Sequence, residues 1–434
     1  MMVSGRDFPP SDAAPETANA RPAKARGRPS KRTLKRKALL DGATKLFNAR
    51  GISGTSLADV AETLGLSRAT VYYYVNDRAE LVFQCYMRAC ELTAEDLAAA
   101  SAEKNGFLRV VDFIHRALTP ARPSVAVLSE INALHSSHAD VVKLANDRNV
   151  ATLTGFIRDG AKDGSIRACD HEVAAQAIIG MLAWSQLLPQ WSNSKQVHTL
   201  RTRTSRTMID LLSQGLSRRE TGRFQCRCDV EQFQPTMTNV FDRRESSIVK
   251  IDQVLATASR IFNRKGIEAT SFEEIGTALG VTRGLVYHYL SDKTELVTRC
   301  YERAFDLYDQ FAEAAKAHGA NGLESALINA HLNIQAHVGA LSPLMPQPGF
   351  EAVPDAIRAP LRQRAYAENK FISDMLRQGI ADGSANACDA PLVTHIGAGA
   401  FGWIPKWLPP DSTHTPFQMG DEICTILAQG LRAP

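Results

Sequence analysis

The chain has 434 residues, 44% of them hydrophobic and 22% charged, with a formal net charge of +4. This composition is that of an ordinary globular protein of two to four domains and excludes a uniformly basic nucleic-acid coat. No apolar run approaches the ~20 residues a membrane helix needs, and the start of the chain lacks a secretory apolar core. The expectation is a soluble, cytoplasmic protein with no membrane partner.

Residues 1–33 read as a disordered basic tail. From Arg21 to Lys37 there are nine Lys or Arg and no acid; such a block repels itself and favours phosphate backbones. Within it, Arg26-Gly27-Arg28-Pro29 resembles the core of AT-hook peptides. That resemblance implies that Arg26 and Arg28 enter a narrow A·T minor groove, where the negative potential is enhanced.

Next, Leu39, Ala43, Leu46 and Phe47 share one helical face, and Gly51 stops that helix. Ser56-Leu57-Ala58-Asp59 fits a capping box opening a second, short helix, which ends at Leu64-Gly65. Ser67 caps a third helix, and Asp77-x-x-Glu80 opens a fourth. Helix, glycine turn, helix is the layout of a helix-turn-helix unit, assigned to residues 34–82. On the third helix, 100° steps from Arg68 put Ala69, Tyr72 and Tyr73 on its side and Val71 and Tyr74 opposite. Val71 and Tyr74 therefore face the core. Arg68, Ala69, Tyr72 and Tyr73 face a major groove, where Arg meets guanine, a small residue permits close approach and hydroxyls reach phosphates.

The whole pattern then repeats. Comparing residues 51–88 with 266–303 gives 17 identities in 38 positions at an offset of 215. Val254, Ala258, Ile261 and Phe262 restate the first helix face, Gly266 its stop, and Ser271-Phe272-Glu273-Glu274 the capping box. Thr282 stands at the third-helix cap and Asp292-x-x-Glu295 at the fourth. Arg283, Gly284, Tyr287 and His288 face outward against Val286 and Tyr289. Asp163–Asp170 echoes Asp382–Asp389, and Gln-Gly-Leu closes each half at Gln214 and Gln429. Residues 217–245 are polar and Arg-rich and read as a linker. Strand signals are scarce, so the fold class is all-α.

The segments Leu46–Gly51 and Thr55–Leu81, with their counterparts Ile261–Gly266 and Thr270–Leu296, resemble the TetR/AcrR family of bacterial transcriptional regulators. The likeness covers about 50 residues in each half. It implies two tandem units, each a helix-turn-helix domain followed by a helical ligand and dimerisation domain. The second helix-turn-helix then occupies 246–297, and the helical domains 83–216 and 298–434. It implies that Thr55, Ser56, Thr270 and Ser271 hold phosphates and that Ser67 and Thr282 cap the recognition helices. Arg68, Ala69, Tyr72, Arg283, Gly284 and Tyr287 would meet bases. Tyr73, His288, Arg78 and Lys293 would hold the DNA backbone. Family members usually form homodimers, so the two halves are expected to pack as an intramolecular pseudo-dimer. The pairing segments would be Val173–Leu188 and Leu200–Leu216 with Leu392–Trp403 and Phe417–Leu431. Further self-association of such chains is compatible with this reading.

The resemblance also implies a small-molecule effector that shifts the heads. Aromatic and polar candidates for its pocket are Phe113, His115, Trp184 and Trp191 in the first half and His331, Phe401, Trp403 and Trp407 in the second; such a lining suits a hydrophobic or aromatic ligand. The expected partners are thus double-stranded DNA and that effector. No catalytic residue, cofactor or metal is expected. There is no Gly-rich phosphate loop, G-x-S-x-G or H-E-x-x-H. Cys226 and Cys228 have no companion pair, and Cys85, Cys90, Cys300 and Cys424 sit in helical patterns as small hydrophobes. The alternative to a repressor released by its effector is a ligand-independent architectural DNA binder.

Overall fold

The computed structural model describes residues 31–52, 54–187, 197–219, 222–239, 241–345, 355–409 and 411–434. Among these the regular elements are helices, joined by short 3₁₀ turns and two isolated β-bridges. The first half contains α1 (Lys31–Arg50), α2 (Leu57–Thr63), α3 (Arg68–Tyr72), α4 (Arg78–Ala100), α5 (Gly106–Leu118), α6 (Ser136–Asp163), α7 (His171–Ser185) and α8 (Val197–Gln214). The second contains α9 (Arg243–Lys265), α10 (Phe272–Leu279), α11 (Arg283–Tyr289), α12 (Lys293–His318), α13 (Gly322–Val338), α14 (Asp355–Asp382), α15 (Ala390–Gly402), α16 (Ile404–Trp407) and α17 (Pro416–Gln429).

The caps read from sequence form, except that the second capping box closes on one side only and Thr282 makes no cap bond. Ser56 and Asp59 make a full capping box. Ser271 accepts from the Glu274 N–H, while the Glu274 carboxylate pairs with Lys265 at 2.5 Å instead. Asp77 and Asp292 accept from the N–H groups of Glu80 and Glu295. Thr282 occupies the cap position of α11 but makes no side-chain cap bond, a correction to its expected role. Among the described residues, Arg32, Lys35, Arg36 and Lys37 of the basic block stand exposed along α1.

The first head closes its own apolar core around Leu39, Phe47, Val60, Val71, Leu81 and Tyr86. The second head's core (Val254, Phe262, Ile275, Val286, Leu296) is continuous with that of both helical domains. Among its described residues, the segment 217–245 is strapped onto the second half. Arg223 pairs with Glu422 at 2.7 Å, Gln335 on α13 binds both the Val230 N–H and the Cys228 carbonyl, and Phe233 stands edge-on to Phe311.

The halves meet where α7 and α8 cross α15 and α17. At the crossing of α7 and α15, a Cβ on Gly180 would lie 2.3 Å from the Gly399 carbonyl oxygen, and one on Gly399 2.6 Å from that of Gly180. Only glycine lets the two backbones approach so closely. The polar contacts across the seam are reciprocal. The Leu216 N–H donates to the Leu427 carbonyl at 2.9 Å and the Leu431 N–H to the Leu212 carbonyl at 2.6 Å. Ile166 bridges to Arg432, and Ala385 bridges to Ser217. Each Asp-Gly-Ser segment thus pairs with the terminal segment of the other half. An isologous interface has this property, one patch serving on both sides.

Candidate nucleic-acid interface

On α3, Tyr72 and Tyr73 are 56% and 63% exposed while Val71 is fully buried, as the helical angles require. Ser67 holds the start of α3 by accepting from the Thr70 N–H. Arg68 and Ala69 are exposed beside it. Ser56, Arg68, Tyr72 and Arg78 line one surface hollow of about 370 Å³ between the starts of α2, α3 and α4. Tyr73 stands aside from that hollow. Arg32 lies over its ring, 5.3 Å from the centroid, which joins the basic start of α1 to the recognition surface. Arg32 belongs to the basic block, but nothing in its spacing singled it out.

The second head differs in detail. Tyr287 stacks on Phe272, with centroids 4.5 Å apart and planes at 9°. Arg283 lies 5.1 Å from the centroid of the Tyr287 ring and donates to its phenol oxygen at 3.1 Å. The first head has Leu57 where Phe272 stands, so this aromatic stack is particular to the second. Gly284 and His288 are exposed. Lys293 donates to the Glu268 carbonyl at 3.1 Å and lies 3.4 Å from its carboxylate, so its ammonium is shared with an acid.

Thr55 and Thr270 need correction. They are 1% and 5% exposed, and each hydroxyl donates to the carbonyl of the preceding helix-stop glycine, Gly51 at 2.8 Å and Gly266 at 2.9 Å. Their side chains pin the turn; the exposed hydroxyls at the start of the second helix are those of Ser56 and Ser271. Arg26 and Arg28 lie outside the described residues.

A cavity of about 400 Å³ opens in the second half, between α12, α13, α14 and α15, and α7 and α8 of the first half close one side. Of the eight expected pocket residues, Trp184 and Phe401 line it. Phe113 is buried in the core beside Val110 and Ile114, and His115, on the outer face of α5, is exposed. Trp403 packs into a small cluster with Trp184, and Trp407 packs against the main core. His331 is engaged between α13 and α17. Its Nδ1 accepts from Gln335 at 2.8 Å, so its Nε2–H donates to Asp421 at 3.0 Å, and burial holds the imidazole below its ordinary pKa. Trp191 lies outside the described residues. Aromatic character alone does not distinguish a side chain of the packed interior from one that lines a hollow.

Sequence reasoning missed two kinds of residue. One is the polar lining of the cavity, including Asn329, Glu368 and His395. The other is a matched pair of asparagines near the ends of α1 and α9. Asn48 donates to the Val125 carbonyl at 2.9 Å and accepts from the Val127 N–H at 3.0 Å. Asn263 donates to the Pro343 carbonyl at 2.8 Å and accepts from the Met345 N–H at 3.0 Å. Val127 and Met345 then meet in the cluster of Trp184 and Leu187, and Met345 and Trp184 also line the cavity. The repeat carried a signal for this pair, since Phe-Asn recurs at an offset of 215.

Comparison with known proteins matches these features twice over. The profile of bacterial regulatory proteins of the tetR family covers residues 39–85 and 254–300. That of the tetracyclin repressor-like C-terminal domain covers 107–191 and 326–431. The HTH-type transcriptional regulator TtgR of Pseudomonas putida is 36% identical over 67 residues, 15% of this chain and 31% of its own length. The chain therefore spans about a third of that relative. The HTH-type transcriptional repressor KstR2 of Mycolicibacterium smegmatis is 24% identical over 191 residues, 42% of this chain and 89% of the relative. Among solved structures, the ketosteroid transcriptional regulator KstR2 of Mycobacterium tuberculosis matches 46% of this chain and 98% of its own, at 19% identity and a TM-score of 0.38. The two profiles together cover more than half of the residues, and the chain belongs to the TetR family, carrying the family's pair of domains in tandem.

Proposed function

We propose that the chain is a DNA-binding transcriptional regulator, acting as a repressor, whose two halves form an intramolecular pseudo-dimer with two unlike heads. The observation that carries this reading is the reciprocal seam, in which Ile166–Arg432 and Ala385–Ser217 exchange between the halves. A two-fold partner relation positions two recognition helices for half-sites about one turn of DNA apart, ~34–36 Å. Units at 34–82 with 83–216 and at 246–297 with 298–434 fit this arrangement, with the strap between them. The heads differ at Ala69 against Gly284, Thr70 against Leu285 and Tyr73 against His288, so the operator is expected to be an imperfect rather than a perfect inverted repeat. Base contacts fall to Arg68, Ala69, Tyr72, Arg283, Gly284 and Tyr287, and backbone contacts to Ser56, Ser271, Tyr73, His288, Arg78 and Lys293.

The cavity of the second half supports an effector. A ligand seated against Trp184 and Met345 pushes on the cluster from which the Asn48 and Asn263 ties run to both heads. To release DNA, the ligand must prefer a head arrangement that DNA disfavours. Lys406 on α16 reinforces the same junction: half-buried, with desolvation driving its pKa down to about 8, its ammonium donates to the Ser129 carbonyl of the first half at 2.5 Å.

Selection of bound duplexes from a random library tests the two-headed reading. Two unlike half-sites about one turn apart, each weakened by mutation of a different head, are expected. A perfect palindrome weakened equally by both head mutants would overturn it.

A further inference from the structure

The cavity holds polar groups that neither the seam nor the heads use. Glu368 on α14 lines it. Burial pushes its carboxyl up to about 8, with Asp309 acting in the same direction and Arg364 opposing. Arg364 is engaged outside the cavity with Asp306 at 2.9 Å and Asp309 at 2.5 Å. The Asn329 Oδ1 and His395 Nε2 atoms are buried without a hydrogen-bond partner, and both residues line the same hollow. Unsatisfied polar atoms in a buried space cost free energy that a ligand recovers.

The titratable and charged groups facing the cavity are Arg203 from α8, Tyr308 from α12, Tyr366 and Glu368 from α14, Asp389 at the cap of α15, and His395 from α15. Arg203 is already paired with Asp389 at 2.5 Å. Burial holds His395 neutral, its pKa down to about 4. Among the described lining residues, therefore, no uncommitted cation is available to an anionic ligand, while one carboxyl group is available to a cationic one. The apolar wall is aromatic, with Trp184, Phe305, Tyr308 and Phe401, and aromatic faces attract cations once water is excluded.

We propose that this cavity binds a compact aromatic amine in its ammonium form, with the charge set against the Glu368 carboxylate and the apolar body against Trp184 and Phe401. The proposal rests on the effector-responsive reading above and names the class of ligand. A volume of about 400 Å³ lies toward the small end of ligand cavities, ~300–1,000 Å³, hence a compact molecule. An entering cation favours the ionised carboxyl, so binding near pH 7 expels the Glu368 proton into solvent. A carboxylate ligand would instead meet Glu368 and Asp389 with its own charge desolvated and unpaired.

Three probes of similar shape test this on the full chain: benzyltrimethylammonium, its neutral carbon isostere neopentylbenzene, and the anion 3-phenylpropionate. Binding is followed by tryptophan fluorescence and by calorimetry in buffers of different ionisation enthalpy. The expected result is at least roughly tenfold tighter binding of the cation than of the isostere, release of about one proton at pH 7, and no binding of the anion. Glu368→Gln should erase the cation's advantage and the proton release while leaving the isostere's affinity in place. Glu368→Asp, which keeps the charge, should retain part of both. Equal binding of cation and isostere, indifference to Glu368→Gln, or binding of none of the probes overturns the proposal. A DNA-release assay separates this outcome from the regulatory reading. A cation that binds through Glu368 yet leaves DNA affinity unchanged keeps the ligand class and removes the regulation. A neutral or anionic probe that releases DNA does the reverse.

Discussion

Replacing Asn263 with Leu removes the tie between the second head and the cavity wall. Asn263 is 1% exposed, and its amide satisfies the Pro343 carbonyl and the Met345 N–H. Leucine occupies a similar volume and offers neither bond. Each backbone group left unsatisfied in a buried site costs about 1–3 kcal/mol, so two cost about 2–6. Burying the apolar side chain in place of the amide returns part of this, leaving an expected destabilisation of about 3 kcal/mol. For a unit of this size, 1 kcal/mol lowers the melting temperature by about 2–4 °C, so a drop of about 6–12 °C should appear by circular dichroism. The functional consequence is sharper than the thermal one. The variant should still bind a cavity ligand, yet that ligand should no longer weaken contact with the half-site read by the second head. Footprinting of the two half-sites with and without ligand measures this. Asn48→Leu should do the same to the other half-site, through Val125 and Val127. A melting shift below about 2 °C, together with undiminished release at both half-sites, would refute the idea that these asparagines couple cavity to heads.

Gly180→Val should force the halves apart at the point where a Cβ meets the Gly399 carbonyl at 2.3 Å; overpacking of this kind costs about 1–3 kcal/mol, and an enlarged radius in small-angle scattering would register the opening. Arg283→Ala should weaken one half-site by about tenfold to a hundredfold in a gel-shift assay, and Arg68→Ala the other, because a bidentate arginine–guanine contact is worth about 1–3 kcal/mol; equal weakening of both half-sites by either variant would contradict the assignment. Deleting residues 1–30 should flatten the salt dependence of DNA binding by about 0.9 in log–log slope for each phosphate no longer neutralised, whereas an unchanged slope would mean that the deleted basic residues neutralise none. Glu368 also predicts a pH effect. Its folded pKa, about 8, lies above the ordinary value of 4.5, so the native state holds the extra proton, and the stability this contributes is complete below about 4.5 and lost as pH rises through about 8. Glu368→Gln should accordingly raise the melting temperature more at pH 8.5 than at pH 5, and an equal shift at both would show that the carboxyl does not titrate in this range.

The duplication, the helix faces, most of the capping residues and the outward turn of Tyr72 and Tyr73 follow from spacing along the chain. They depend on hydrogen bonds and side-chain neighbours three or four residues apart, which a sequence displays directly. The family resemblance, not spacing, implied a phosphate role for Thr55 and Thr270, and both hydroxyls turn inward instead. A hydroxyl four residues beyond a glycine stop has two available partners, a phosphate outside or a carbonyl behind, and only the path of the turn directed it inward.

The cavity belongs to the tertiary structure alone. Phe113, Trp184 and Trp407 are all aromatic residues on helices, yet of these three only Trp184 faces the hollow, because a hollow is defined by what neighbouring helices fail to fill. Glu368, Asn329 and His395 stand on three different helices, and Asn48 and Asn263 each reach a segment about eighty residues further along the chain. No period along the sequence relates them. Their convergence is set by the packing of α7 and α8 against α12–α15, where the close approach at Gly180 and Gly399 decides how near the two halves lie.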